Sequence, residues 1–117
     1  MLKKAIGGCV LAISVACASS PISSERLAAS EAAIRAAREM GAEKVPPASL
    51  HLQLAKEQEE QAKKLLNQGD KKRADVLLIR SQADAELALA LAREAPARAE
   101  AQRALDRVKQ LEQTAQQ

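Results

Sequence analysis

Apolar positions recur along this chain at steps of three and four, the spacing that lines one face of an α-helix. Leu27, Ile34 and Ala37, with Ala33 and Met40 alongside, predict a first helix over about Ser24 to Met40. Ser23 or Ser24 is placed to cap it, Glu25 suits the positive end of its dipole, and Gly41 is placed to end it. After Pro46-Pro47, the positions Leu50, Leu54, Ala62 and Leu65, with Leu66 beside them, predict a second helix over about 47–67. Lys56, Glu57, Glu59, Glu60, Lys63 and Lys64 then face water, with Glu59–Lys63 and Glu60–Lys64 as four-residue pairs. Gln68-Gly69-Asp70 reads as a tight turn, Gly69 stopping one helix and Asp70 capping the next.

The third helix carries the strongest pattern. Ala74, Leu77, Leu78, Ser81, Asp84, Ala85, Ala88, Leu91, Ala92 and Ala95 recur at three and four from Lys71 onward. Asp84 interrupts the stripe, and Arg80 one turn earlier is placed to pair with it. Beyond Pro96 the pattern resumes as Ala97, Ala101, Ala104, Leu105, Val108, Leu111 and Ala115. Proline inside a helix removes a backbone donor and costs about 3 kcal/mol, so the helix either kinks near 96 or a new one begins. If it only kinks, Asp70 to Ala115 extends roughly 69 Å, longer than a compact domain needs, and its end protrudes or packs on something else. The expected fold class is all-α: an antiparallel helical hairpin or three-helix bundle over 24–117, with a long third helix over 71–115 and a break or kink near 96.

Composition narrows the chemistry. The chain has 117 residues, 47% of them apolar, with no Phe, Tyr or Trp, one His and two Cys. Without aromatics there is no stacking platform for single-stranded nucleic acid. With one His, neither a His-based zinc site nor a Ser-His-Asp arrangement is easily built. No phosphate-binding Gly loop, HExxH or CxxC is present. No enzyme, metal or cofactor is therefore expected. Small core side chains bury little area each, which predicts moderate stability alone and makes the third-helix seam the surface for any homo-oligomerisation.

The first residues read differently from the rest. Lys3 and Lys4 are followed by the apolar stretch Ala5 to Ala16, then by small residues, in the order of a secretory signal. As a helix that stretch reaches roughly 18 Å, too short for a hydrocarbon core of about 30 Å. Ser14-Val15-Ala16-Cys17 resembles the lipobox of bacterial lipoproteins, in which the Cys takes lipid and becomes the new N-terminus. The resemblance implies a signal peptide over 1–16 and, over 17–23, a lipidated Cys17 with a flexible tether. Ala18 follows Cys17, where Asp in Gram-negative lipoproteins favours inner-membrane retention, so the resemblance points to the outer membrane and the periplasm. The bilayer is then a partner, through acyl chains such as palmitate on Cys17. Ala16-Cys17-Ala18 also fits the small-x-small rule of ordinary signal cleavage, which would release a soluble periplasmic adaptor or chaperone. Loss of Lys3 and Lys4 takes the formal charge from +3 to +1, which leaves no electrostatic footprint for nucleic acid.

Glu31-Ala32-Ala33-Ile34, the stretch from Pro47 to Glu57, Gly69-Asp70, Arg73-Ala74 and the run from Asp84 to Ala88 resemble the family called domain of unknown function 4398. Its members are short helical lipoproteins, or modules joined to outer-membrane-protein-A-like domains. The resemblance covers about 25–97 and implies an envelope location, with no catalytic residues to carry over. Other candidates are weaker. His51, near the start of the second helix, is expected to be solvated, and Glu57, Glu59 and Glu60 lack the apolar pocket that would separate two carboxylate pKa values. Lys71-Lys72-Arg73 is the densest basic patch, suited to anionic lipid or cell-wall carboxylates. The C-terminal Thr114-Ala115-Gln116-Gln117 lacks the terminal Lys through which the major murein lipoprotein is joined to peptidoglycan, so a covalent tether of that kind is not expected. The expected role is non-catalytic, presenting a helical surface to another envelope protein or to peptidoglycan.

Overall fold

Turn chemistry sets the corners of this fold. Gly41 and Gly69 both take φ +81°, a left-handed conformation that L side chains rarely adopt, and each stands just past the end of a helix. In the computed structural model, which describes residues 23–116, the elements are α1 (Ser23–Glu39), a 3-10 turn (Ala42–Lys44), α2 (Pro46–Asn67) and α3 (Lys71–Ala115). There is no strand among the described residues. At the end of α2 the amide of Asp70 reaches the carbonyl of Leu65 at 2.9 Å, and that of Gly69 reaches Leu66 at 3.0 Å. This nested pair is a Schellman motif. Asp70 then caps α3, its carboxylate accepting from the Arg73 amide at 3.2 Å. The second helix begins one residue earlier than expected, because Pro46, with its preset φ, takes the first helical position after an extended Val45.

Cross-helix contacts fix the directions. Ser30 meets Glu59 and Glu43 meets Lys56, so α1 and α2 run antiparallel. Arg26 meets Asp75 and Ser30 meets Ser81, so α1 runs parallel to α3. The start of α1 therefore lies at the end of the bundle where α2 turns into α3.

The core follows one rule in all three helices, a strict alternation of four and three. On α1 the buried line is Ser23, Ser30, Ile34 and Ala37, with half-buried Leu27 completing the spacing. On α2 it is Ala48, Leu52, Ala55, Glu59 and Ala62, and on α3 it is Ala74, Leu78, Ser81, Ala85, Ala88 and Ala92. A 3.5-residue repeat of this kind is the packing code of left-handed supercoiled helices. The largest fully buried side chains are Leu52, Leu78, Ser30 and Ser81, so two serines rank beside the two leucines.

Two expectations need correction. Leu50 is 58% exposed and Met40 46% exposed, and the buried face of α2 is the Ala48–Ala62 line, with Leu54, Leu65 and Leu66 flanking it half-buried. Where helices pack closely, the central seam takes alanine and the leucines move to its edges. Glu59, expected to face water, lies in that seam with only 7% of its surface exposed. At Pro96 no new helix begins: α3 is one element from Lys71 to Ala115. The proline stands just past Ala92, the last buried residue, where the helix leaves the bundle. Residues 96–115 are all exposed, an overhang of roughly 30 Å at about 1.5 Å per residue.

Candidate interaction surfaces

The polar groups of this bundle gather in a layer across its middle. Ser30 Oγ donates to Glu59 Oε2 at 3.1 Å and lies 2.7 Å from Ser81 Oγ, which in turn lies 2.7 Å from the carbonyl of Ala55. Two hydroxyl protons serve these three contacts, so they are shared among them. The other Glu59 oxygen accepts from Lys63 Nζ at 2.7 Å, and Lys63 also reaches Glu31 at 3.2 Å. The Glu59 hydrogen bond holds the Lys63 ammonium above its ordinary pKa of 10.5, against an opposing effect of burial and with further help from Glu31. On one side of this layer the core contains Ala62, Ala74 and Leu78; on the other it runs from Ile34 and Ala37 through Leu52 to Ala92. A satisfied polar layer between two apolar clusters penalises any shift in helix register, because a slip would bury Glu59 against alanine.

A second polar contact joins α2 to α3. His51 Nδ1 lies 2.9 Å from Asp84 Oδ1, and Gln58 Nε2 donates to Asp84 Oδ2 at 2.9 Å. His51 and Gln58 stand two turns apart on one face of α2, and the carboxylate spans them. The expected solvated His51 is thus half-buried and paired, and Asp84 pairs with α2 rather than with Arg80. Together these two bonds pin α2 to α3. Of the other sequence candidates, Glu57 and Glu60 are exposed, and no three His, Cys, Asp or Glu side chains among the described residues converge in a way that would hold a metal. Cys17, the signal segment and the tether as far as residue 22 lie outside the described residues, and Ser23, expected to end the tether, is the first residue of α1.

The two ends of the bundle differ. At the turn end, Lys71, Lys72 and Arg73 are exposed, Arg73 leaning on Asp70 at 3.5 Å. Beside them an open groove is lined by Gln61, Leu65, Lys72, Arg73, Val76 and Leu77. At the opposite end the overhang of α3 displays Leu105, Val108 and Leu111, exposed at 57, 51 and 70%. No described helix is long and apolar enough to cross a membrane. Of this polar layer Ser81 stands on the stripe expected for the third helix, whereas Ser30 and Glu59 were not expected in the core, although Glu59 falls on the four-three line between Ala55 and Ala62.

No curated protein and no solved structure matches this chain. A family model does, over residues 25–104, from the start of α1 to within the overhang. The chain belongs to the family described as Domain of unknown function (DUF4398).

Proposed function

We propose that this protein is an outer-membrane-anchored periplasmic lipoprotein whose helical domain is a non-catalytic interaction or scaffold module. The observation that carries the reading is the opposition of its two ends. The start of α1 shares one end of the bundle with the basic turn Lys71-Lys72-Arg73, and the apolar overhang of α3 leaves from the other. Acylated Cys17 precedes Ser23 by a stretch that, fully extended, spans roughly 20 Å. An anchor there holds the turn end near the bilayer, where three cations suit anionic headgroups, and directs the overhang away from it. Buried acyl chain supplies about 0.8 kcal/mol per CH₂, ample for stable attachment when more than one chain is present. The exposed helical faces then meet another envelope protein or peptidoglycan.

The test is the intact mass of the full chain from a Gram-negative host, read in membrane and soluble fractions. A membrane-bound species beginning at Cys17 and carrying lipid mass is expected, and Cys17→Ser moves the protein out of that fraction. A soluble species beginning at Ser19 would replace the anchor with a freely diffusing periplasmic adaptor.

A further inference from the structure

The bundle seam of α3 ends at Ala92, and a second four-three run, Ala97, Ala101, Ala104, Val108, Leu111 and Ala115, begins five residues later. At 3.6 residues per turn a step of five rotates the stripe by about 140°. The overhang therefore does not prolong the face that meets α1 and α2. Its stripe lies on the outer side of α3, the side on which Val76, Ile79 and Leu87 are already exposed at 48, 50 and 43%. Every residue of this run is exposed.

We propose that residues 97–115 pair in parallel with the same segment of a second copy of the chain, as a two-stranded coiled coil. In a heptad written abcdefg, Val108 and Leu111 fall at a and d. A β-branched residue at a with leucine at d favours two parallel strands. Arg107 and Glu112 fall at g and e, the positions that flank the seam. Neither has an ion-pair partner among the described residues, whereas Arg98 is already held by Glu94 at 2.7 Å. In a parallel, in-register pair, Arg107 meets the partner's Glu112 on both sides of the seam. The antiparallel arrangement that seats Ala101 on the partner's Leu111 sets Arg107 against the partner's Arg107 instead. Glu94 occupies the preceding seam position, where two copies would bring carboxylates together, so the pairing starts beyond Pro96.

The alanine layers let the two helices approach closely but bury little area, so the pair is concentration-dependent and gains from any tether that holds copies together. The inference rests on the overhang being an interaction surface, not on the lipid anchor; intact mass reads the anchor and crosslinking reads the pairing.

The experiment is thiol crosslinking of the full chain in the envelope of a Gram-negative host, with Leu111→Cys at the seam, Gln113→Cys on the outer face, and the chain without an added cysteine as background. Leu111→Cys is expected to give a homodimer band well above Gln113→Cys. Adding Arg107→Glu to Leu111→Cys lowers its yield about five-fold, and the further change Glu112→Arg restores it, because the pair is re-formed with its charges exchanged. Far-UV circular dichroism confirms that these exposed substitutions leave the bundle folded. Equal yields at the two positions, a band of another mass, or a charge exchange that fails to restore the dimer would each overturn the proposal.

Discussion

Ser30 on α1 and Ser81 on α3 hold their hydroxyl oxygens 2.7 Å apart, with Glu59 of α2 on one side and the Ala55 carbonyl on the other. Three helices thus meet through two small hydroxyls. Removing the Ser30 hydroxyl leaves a buried carboxylate oxygen unserved. Ser30→Ala is expected to lower stability by about 1–3 kcal/mol, since Glu59 Oε2 loses its donor in a buried layer. The shift in urea midpoint at unchanged slope reads this directly.

Replacing the whole layer should act in the opposite direction. Ser30→Ala, Glu59→Leu and Ser81→Ala together remove the desolvation cost and join the two apolar clusters, so the melting temperature is expected to rise. Register is expected to suffer, because alanine seams alone distinguish poorly between neighbouring alignments. Amide resonances of the triple variant should broaden or double at residues where the native protein gives single sharp peaks.

Asp84 holds two α2 residues at once. Asp84→Ala orphans His51 and Gln58 together and is expected to cost about 1–2 kcal/mol, more than His51→Ala, which leaves the Gln58 bond in place. A double-mutant cycle between His51 and Asp84 measures the part that belongs to that pair.

The Lys63 cluster sets a response to alkali. Its ammonium has a pKa above 10.5 in the folded protein, chiefly through the Glu59 hydrogen bond. A raised folded-state value means that the folded form holds the proton more tightly. The stabilisation is complete below the unfolded value and disappears as pH rises through the folded one. Lys63→Gln should therefore be less stable than the native chain at neutral pH, by under about 1 kcal/mol because the side chain is 36% exposed. The gap should close when both proteins are melted well above pH 10.5.

Pro96 breaks the backbone ladder where α3 leaves the bundle, since it has no N–H to donate toward the carbonyl of Ala92. Pro96→Ala restores that bond. The expected result is slower amide exchange across 97–104 with little change in the unfolding midpoint of the bundle.

Much of this fold was legible because its signals are local. Gly41, Gly69 and Asp70 mark helix ends through backbone conformation and capping, and these need no tertiary partner. The α3 seam was legible because its four-three run is unbroken from Ala74 to Ala92. The phase of α2 was not. Leucine bulk drew the reading to Leu50 and Leu54, whereas the buried line passes through Ala48, Ala55 and a charged Glu59. That residue is tolerated inside only because Ser30 and Lys63 come to it from 29 positions earlier and 4 later. The pairing of Asp84 with His51 rather than Arg80 is likewise a product of helix packing, since the two stand 33 positions apart. Cys17, the residue on which the envelope reading turns, lies outside the described residues.

The overhang gives the molecule two separate thermal lives. Within the bundle each helix is supported by burial against its neighbours, so that part melts cooperatively. Among the described residues, 96–115 have no such neighbour, and at concentrations too low for pairing with a second copy a short helix standing alone in water is marginal. Heating should erode helical signal gradually from the C-terminal end before the bundle gives way. A melting curve followed at 222 nm would then slope long before its midpoint, while a probe placed beside Ser81 stays flat until the bundle itself opens.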